Sequence, residues 1–84
     1  MPHQTSRDFW KMFNDLPESI QNIARKKFEL LQIDPKYPSL HFKKIGQFWS
    51  VRVSINYRAI AFEEGNDFRW VWIGTHKEYE EIIK

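Results

Sequence analysis

The sequence predicts an α+β domain in which two N-terminal helices pack on a four-stranded, mainly antiparallel sheet and a short C-terminal helix closes the chain. Three observations carry that expectation. Apolar residues recur at helical spacing as far as Ile33, and from Leu40 onward the pattern alternates with a period of two. A run of helices followed by a run of strands is the signature of α+β rather than of alternating α/β architecture. Residues 1–84 read as a single domain, with no internal repeat, low-complexity stretch or linker. A chain of this length buries roughly 60–65% of its unfolded surface. Its 42% apolar and 17% aromatic content, with four tryptophans, supplies large rings for a small core.

The elements follow in order. Thr5 offers a helix cap with Asp8 three residues on, and Phe9, Met12, Phe13 and Leu16 then share one helix face. Pro17 and Glu18 suit the first turn of a second helix, whose stripe is Ile20, Ile23, Ala24, Phe28 and Leu31. That helix ends near Ile33, because Pro35 cannot continue it. After a turn over Asp34 to Ser39, a first strand is expected from Leu40 to Ile45, stopped at Gly46-Gln47. In the second strand Trp49, Val51, Val53 and Ile55 share one face and Ser50, Arg52 and Ser54 the other. Asn56 supports a tight hairpin turn into a third strand, where Tyr57, Ala59 and Ala61 oppose Arg58, Ile60 and Phe62. Glu64-Gly65-Asn66-Asp67 is a second hairpin loop, Phe68 to Ile73 a fourth strand, and His76 to Lys84 a short helix packing Tyr79, Ile82 and Ile83. The two long helices should cover one sheet face, leaving Arg52 and Lys43 on the other.

Composition narrows the functional classes. The absence of cysteine excludes a disulfide framework and a thiolate metal site, and fits a reducing cytoplasm. No apolar stretch is long enough for a transmembrane helix, and Met1 to Thr5 lacks the basic and apolar regions of a signal peptide. A cytoplasmic location is therefore expected. Net charge is only +2, but eight basic residues face two acidic ones between Ile20 and Phe62, and the tail from Glu63 onward is acidic. That layout suits a polyanionic partner, or an acidic protein, for the middle of the chain.

Arg52, between two serines on the polar side of a strand, can bind a phosphate or carboxylate bidentately. Alternatively it pairs with an acid of the tail or with backbone. Arg58, across the expected turn, could converge on it or be a surface arginine. His76 has the side chain suited to acid–base work near neutrality, and Tyr79 lies three residues on along the same helix. Both could also be structural, as a cap and as core. Lys43, Lys44, Arg25, Lys26 and Lys27 could hold RNA backbone electrostatically, although such runs are more often solvated faces. No cofactor is expected: there is no glycine-rich phosphate loop and no nucleophile elbow, and His3, His41 and His76 are too scattered for a metal site.

Several of these residues stand in a recognisable order. Leu16-Pro17, Asp34-Pro35, Leu40, Trp49-Ser50-Val51-Arg52-Val53, Tyr57-Arg58-Ala59-Ile60 and Gly74-Thr75-His76-Lys77-Glu78-Tyr79 resemble the RelE/ParE superfamily of bacterial type II toxin–antitoxin toxins, over roughly Phe9 to Ile83. Tyr37-Pro38-Ser39-Leu40-His41-Phe42-Lys43 and the Trp-x-Trp-Ile-Gly-x-His ending are similar to a little-characterised, toxin-like branch. The resemblance implies a compact sheet packed by two helices and a cognate antitoxin that blocks the toxin. For the ribonuclease members it implies metal-independent mRNA cleavage, often on the ribosome, in which a ribose 2′-OH attacks the adjacent phosphate and leaves a 2′,3′-cyclic phosphate. Arg52 and Arg58 would then bind the scissile phosphate, His76 would serve as general acid or base, and Tyr79 would stand where a tyrosine often does near the chain end. The sequence departs from that pattern at Ser50, where many ribonuclease members carry a basic residue. It also has little room for the extra N-terminal strand of several members, and no glutamate stands clearly where some place a general base. The gyrase-poisoning branch shares the fold and keeps some of the same arginines for structure. A non-enzymatic gyrase inhibitor and an inactive, antitoxin-binding member therefore remain alternatives to the mRNA endoribonuclease.

Overall fold

The computed structural model describes residues 3–84, and the elements run β1 (His3–Thr5), α1 (Arg7–Asn14), α2 (Glu18–Ile33), a 3-10 turn (Pro38–Leu40), β2 (Lys43–Ile45), β3 (Phe48–Ser54), β4 (Tyr57–Glu64), β5 (Asp67–Thr75) and α3 (His76–Ile83). The architecture is the expected α+β arrangement with one more strand: five strands in the order β1-β5-β4-β3-β2. All neighbours are antiparallel except β1, which pairs parallel to β5 with His3 opposite Phe68 and Thr5 opposite Trp70. The four-stranded expectation missed β1 because three residues carry no legible alternation; they are a strand only through their long-range partner.

The edge strand also moves the start of α1. Thr5 belongs to β1, where its Oγ1 accepts a hydrogen bond from Trp10 Nε1 at 2.7 Å. The cap is Ser6, whose Oγ accepts from Phe9 N. Gln21 Nε2 donates to the Leu16 carbonyl at 2.9 Å, tying α2 back to the end of α1. Asp34 caps α2 through its backbone N–H to the Leu30 carbonyl at 2.7 Å, one residue before Pro35.

The helical pair covers one face of the sheet, as the alternation implied. Phe9, Phe13, Ala24 and Leu31 from the helices meet Val51, Val53, Ala59, Ala61, Phe68 and Trp70 from the strands in one buried cluster. Rings interlock edge to face within it: Phe28 lies 5.1 Å from Trp70, and Phe42 lies 5.5 Å from Phe68, centroid to centroid.

The expected first strand is shorter than its pattern. Leu40 is fully buried in the 3-10 turn, and His41 follows in the left-handed region with φ 46°. That kink lets Phe42 turn inward to stack on Trp49 at 4.8 Å before pairing begins at Lys43. The β3–β4 and β4–β5 turns fall at Ile55-Asn56 and Gly65-Asn66, as the sequence implies, with Gly65 at φ 60°. Ile55 itself leaves the apolar row and stands 69% exposed at the turn.

Candidate functional site

The second sheet face is built from the alternate residues of the same strands. Lys43 of β2 pairs with Ser50 of β3, Ser50 with Ile60 of β4, and Arg52 with Arg58. Two like charges directly opposite on neighbouring strands cost roughly 0.2–1 kcal/mol rather than stabilise the sheet. Among the described residues the ion pairs are Arg69–Glu64, His76–Glu80 and Lys84–Glu81, so the acidic tail does not neutralise Arg52 or Arg58.

Arg58 is held by backbone instead. Its Nη1 donates to the carbonyls of Ser54 at 2.5 Å, Tyr57 at 2.9 Å and Ile55 at 3.3 Å. The fourth carbonyl of this turn, that of Asn56, accepts from the N–H of His76 at 2.7 Å. The β3–β4 turn is thus the common anchor of Arg58 and of the α3 N-terminus. Desolvation, followed by the neighbouring Arg52 charge, pulls the Arg58 guanidinium below its ordinary value, while Tyr79 acts in the opposite direction.

Thr75 starts α3 with a capping box in which its hydroxyl accepts from Glu78 N and the Glu78 carboxylate accepts from Thr75 N. The helix lies over the second face and places Tyr79, 5% exposed, on the sheet. The Tyr79 hydroxyl donates to Ser50 Oγ at 3.1 Å, which satisfies the buried polar side chain of β3. The small side chain of Ser50 seats the phenol. Gly74 lies opposite Arg58, and Trp72 folds over it so closely that a Cβ there would meet the indole at 2.6 Å. His76 stacks on the Tyr79 ring at 6.0 Å and contacts Glu80 Oε1 through Nε2 at 2.7 Å. Its Nδ1 is buried without a hydrogen-bond partner.

These groups line a cleft of about 120 Å³ formed by His41, Lys43, Ser50, Arg52, Arg58, His76 and Tyr79. The structure therefore brings together five of the residues singled out in the sequence, Lys43, Arg52, Arg58, His76 and Tyr79. It adds two that sequence reasoning missed. His41, considered in the sequence only as too scattered from His3 and His76 for a metal site, has its backbone in the left-handed region, uncommon outside glycine, and lines the cleft. Ser50 was legible only as a neighbour of Arg52.

The remaining basic candidates separate. Lys44 pairs with Trp49, so it points to the opposite side from Lys43. Arg25 lies with its guanidinium carbon 5.0 Å over the Phe13 ring, beside an apolar groove between the helices and β1. Lys26 is exposed on α2, whereas Lys27 donates to Ser39 Oγ at 3.1 Å. The five do not form one surface. His3 is also remote, stacked on Phe68 and Trp70 in the core-facing layer. Among the described residues no group of histidines and carboxylates could hold a metal ion, and no helix is long and apolar enough to cross a membrane.

The architecture is a small, mainly antiparallel mixed sheet roofed by two helices, with a cationic cleft under a short last helix. The family model described as the ParE-like toxin domain matches residues 18–81, and the chain belongs to that family. The expected kinship with the RelE/ParE superfamily therefore holds. No curated protein matches the sequence. Solved structures match nearly the whole fold. A chain of the RelB–RelE antitoxin–toxin complex from Methanococcus jannaschii superimposes with a TM-score of 0.74 at 18% identity, over 96% of this chain and 99% of that one. The YoeB/ParE toxin from Agrobacterium tumefaciens gives 0.68 at 10% identity, over 90% of this chain and 99% of that one. The isolated E. coli RelE toxin gives 0.64 at 12% identity, over 98% and 94%. At these identities the likeness is one of fold.

Proposed function

We propose that the protein is the toxin of a type II toxin–antitoxin pair and acts as a metal-independent mRNA endoribonuclease that inhibits translation. The observation that carries the reading is the cleft itself. Arg52 and Arg58 face each other with no carboxylate to neutralise them, and Lys43, His41, His76 and Tyr79 border the same space. Like charges opposed across two strands cost up to about 1 kcal/mol, and an anion bound between them would offset that cost.

In this reading the scissile phosphate sits between the two guanidiniums and Lys43, which supply the charge that stabilises the pentacovalent transition state. The ribose 2′-OH attacks that phosphate, the bond to the 5′-oxygen breaks, and the products are a 2′,3′-cyclic phosphate and a 5′-hydroxyl. One proton leaves the 2′-OH and one reaches the departing 5′-oxygen. His76 and His41, which border this space, would exchange them. Glu80 holds the His76 ring through Nε2. Tyr79, pinned by Ser50, forms the floor. The partner would be a cognate antitoxin that covers this cationic face, a reading that the RelB–RelE complex of similar fold supports.

One observation favours a second reading. Arg58 is engaged with three turn carbonyls and so has a structural role independent of any substrate, as in a non-enzymatic gyrase inhibitor. Induced expression in a bacterial host, with transcript 5′-end mapping and growth curves, separates the two. Wild type is expected to arrest growth and generate new mRNA ends, and Arg52→Ala and His76→Ala to abolish those ends while melting cooperatively. Arrest with intact transcripts would sink the ribonuclease reading in favour of gyrase. No arrest would leave only a partner-binding protein.

A further inference from the structure

Beside the cleft lies a wider groove of about 540 Å³ between α2, the 3-10 turn and the end of β3. Its functional lining is Lys27, Ser39, His41 and Arg52, with the exposed Ile23 and Ile55 among its apolar residues. His41 and Arg52 line both spaces, so the groove and the cleft form one continuous track with Arg52 at the junction. No carboxylate lines either space. Lys27 is the one residue of the Arg25-Lys26-Lys27 run that enters this track. Its ammonium donates to Ser39 Oγ at 3.1 Å, which holds it against the groove wall and leaves two N–H donors free.

We propose that this groove is a second phosphate subsite for single-stranded RNA, in which Lys27 takes the phosphate next to the one held between Arg52 and Arg58. The inference rests on the RNA reading above. Two anion sites sharing one arginine fit a backbone with successive phosphates. The groove lining holds no Phe, Tyr or Trp, and its one imidazole, His41, lies at the boundary it shares with the cleft, so the contribution of Lys27 is charge and register rather than base selection. Lys27 is accordingly a binding residue that fixes which nucleotide lies over the cleft.

The test uses the purified full chain and a short 2′-O-methyl oligoribonucleotide, which lacks the attacking hydroxyl and is not cleaved. Affinity is measured by fluorescence anisotropy across a salt series for wild type, Lys27→Gln, Lys26→Gln, Ser39→Ala and Arg52→Ala, each checked by thermal melting. One lost phosphate contact on a single strand lowers the slope of log affinity against log salt by about 0.7. Lys27→Gln should show that loss. Lys26→Gln, on the same helix but outside the groove, should keep the wild-type slope. Ser39→Ala should keep the slope and bind more weakly, since the charge remains but is no longer held. Equal behaviour of the Lys27 and Lys26 variants, with Arg52→Ala still weakened, would overturn the subsite and leave the RNA reading standing. No binding by wild type would overturn both. Equal affinity of wild type for a poly-glutamate peptide, with the same dependence on Lys27, would overturn the assignment to RNA.

Discussion

The two faces of the sheet are made by the same strands and do opposite things. On the helix-covered face Val51, Val53, Ala59, Ala61 and Trp70 are at most 1% exposed and lie in one apolar cluster. On the other face Ser50, Arg52 and Arg58 alternate with them and meet Tyr79 and His76 of α3. Alternation in a strand makes this division possible, because neighbouring residues point to opposite sides. The first face holds the apolar core, so the second can carry two opposed guanidiniums whose mutual repulsion does not stabilise the sheet. The stability of the sheet comes from the packed face, which leaves the charged face free for the role proposed for it.

The contrast breaks most directly at Phe9 and Arg52. Phe9 is 1% exposed and packs against Trp10, Phe13 and Phe28. Phe9→Ala should cost about 3–5 kcal/mol in urea unfolding, through lost transfer energy and the cavity left behind. Arg52→Ala should change stability by less than about 0.5 kcal/mol, since it is partly exposed and its removal relieves like-charge repulsion. A comparable loss from both variants would show that the cationic face is structural.

Arg58 tests the boundary between the faces. Arg58→Ala removes a guanidinium from three turn carbonyls and should cost roughly 1–3 kcal/mol. The cost should appear together with disordering of the His76 end of α3, because Asn56 of the same turn receives the His76 N–H. Measured by urea unfolding and by amide exchange at His76, a loss confined to global stability with an undisturbed α3 terminus would contradict the common-anchor account. Arg58→Lys keeps the charge but not the planar fork, and should recover only part of the loss.

How much of this was legible beforehand follows the same division. The period-two rows and the Asn56 turn are local, and the sequence displays them; it leaves open whether Arg58 converges on Arg52 or stands alone at the surface, and the strands pair the two directly. β1 is not legible, because His3–Thr5 becomes a strand only by pairing with Phe68 to Trp70 at the far end of the chain. His41 is hidden for a different reason: its placement depends on a left-handed residue after the 3-10 turn, where the alternation predicts continuous strand. The basic run on α2 reads as one patch in sequence, yet successive helical residues face different directions. Arg25 therefore rests on Phe13 while Lys27 reaches Ser39. Family kinship was legible in the order of short motifs, none of which alone would have sufficed.

The smallest effect concerns acid. Three histidines are present, two beside the cationic cleft and one, His3, on the packed face, stacked on Phe68 and Trp70. Trp70 Nε1–H donates to His3 Nδ1 at 3.0 Å, so that nitrogen must be unprotonated, and burial lowers the His3 pKa from its ordinary 6.5. The unfolded chain therefore binds this proton at a higher pH than the folded one does. Stability from His3 is fully present above about 6.5 and is lost as pH falls from there through the folded-state value. His3→Gln removes the titration while its amide oxygen can still accept from the indole. Thermal melts across this range should show the wild-type midpoint falling with acid more steeply than that of the variant. Because His3 is partly exposed at the edge strand, the difference should be modest. Identical slopes would show that His3 does not contribute to the acid sensitivity of the fold.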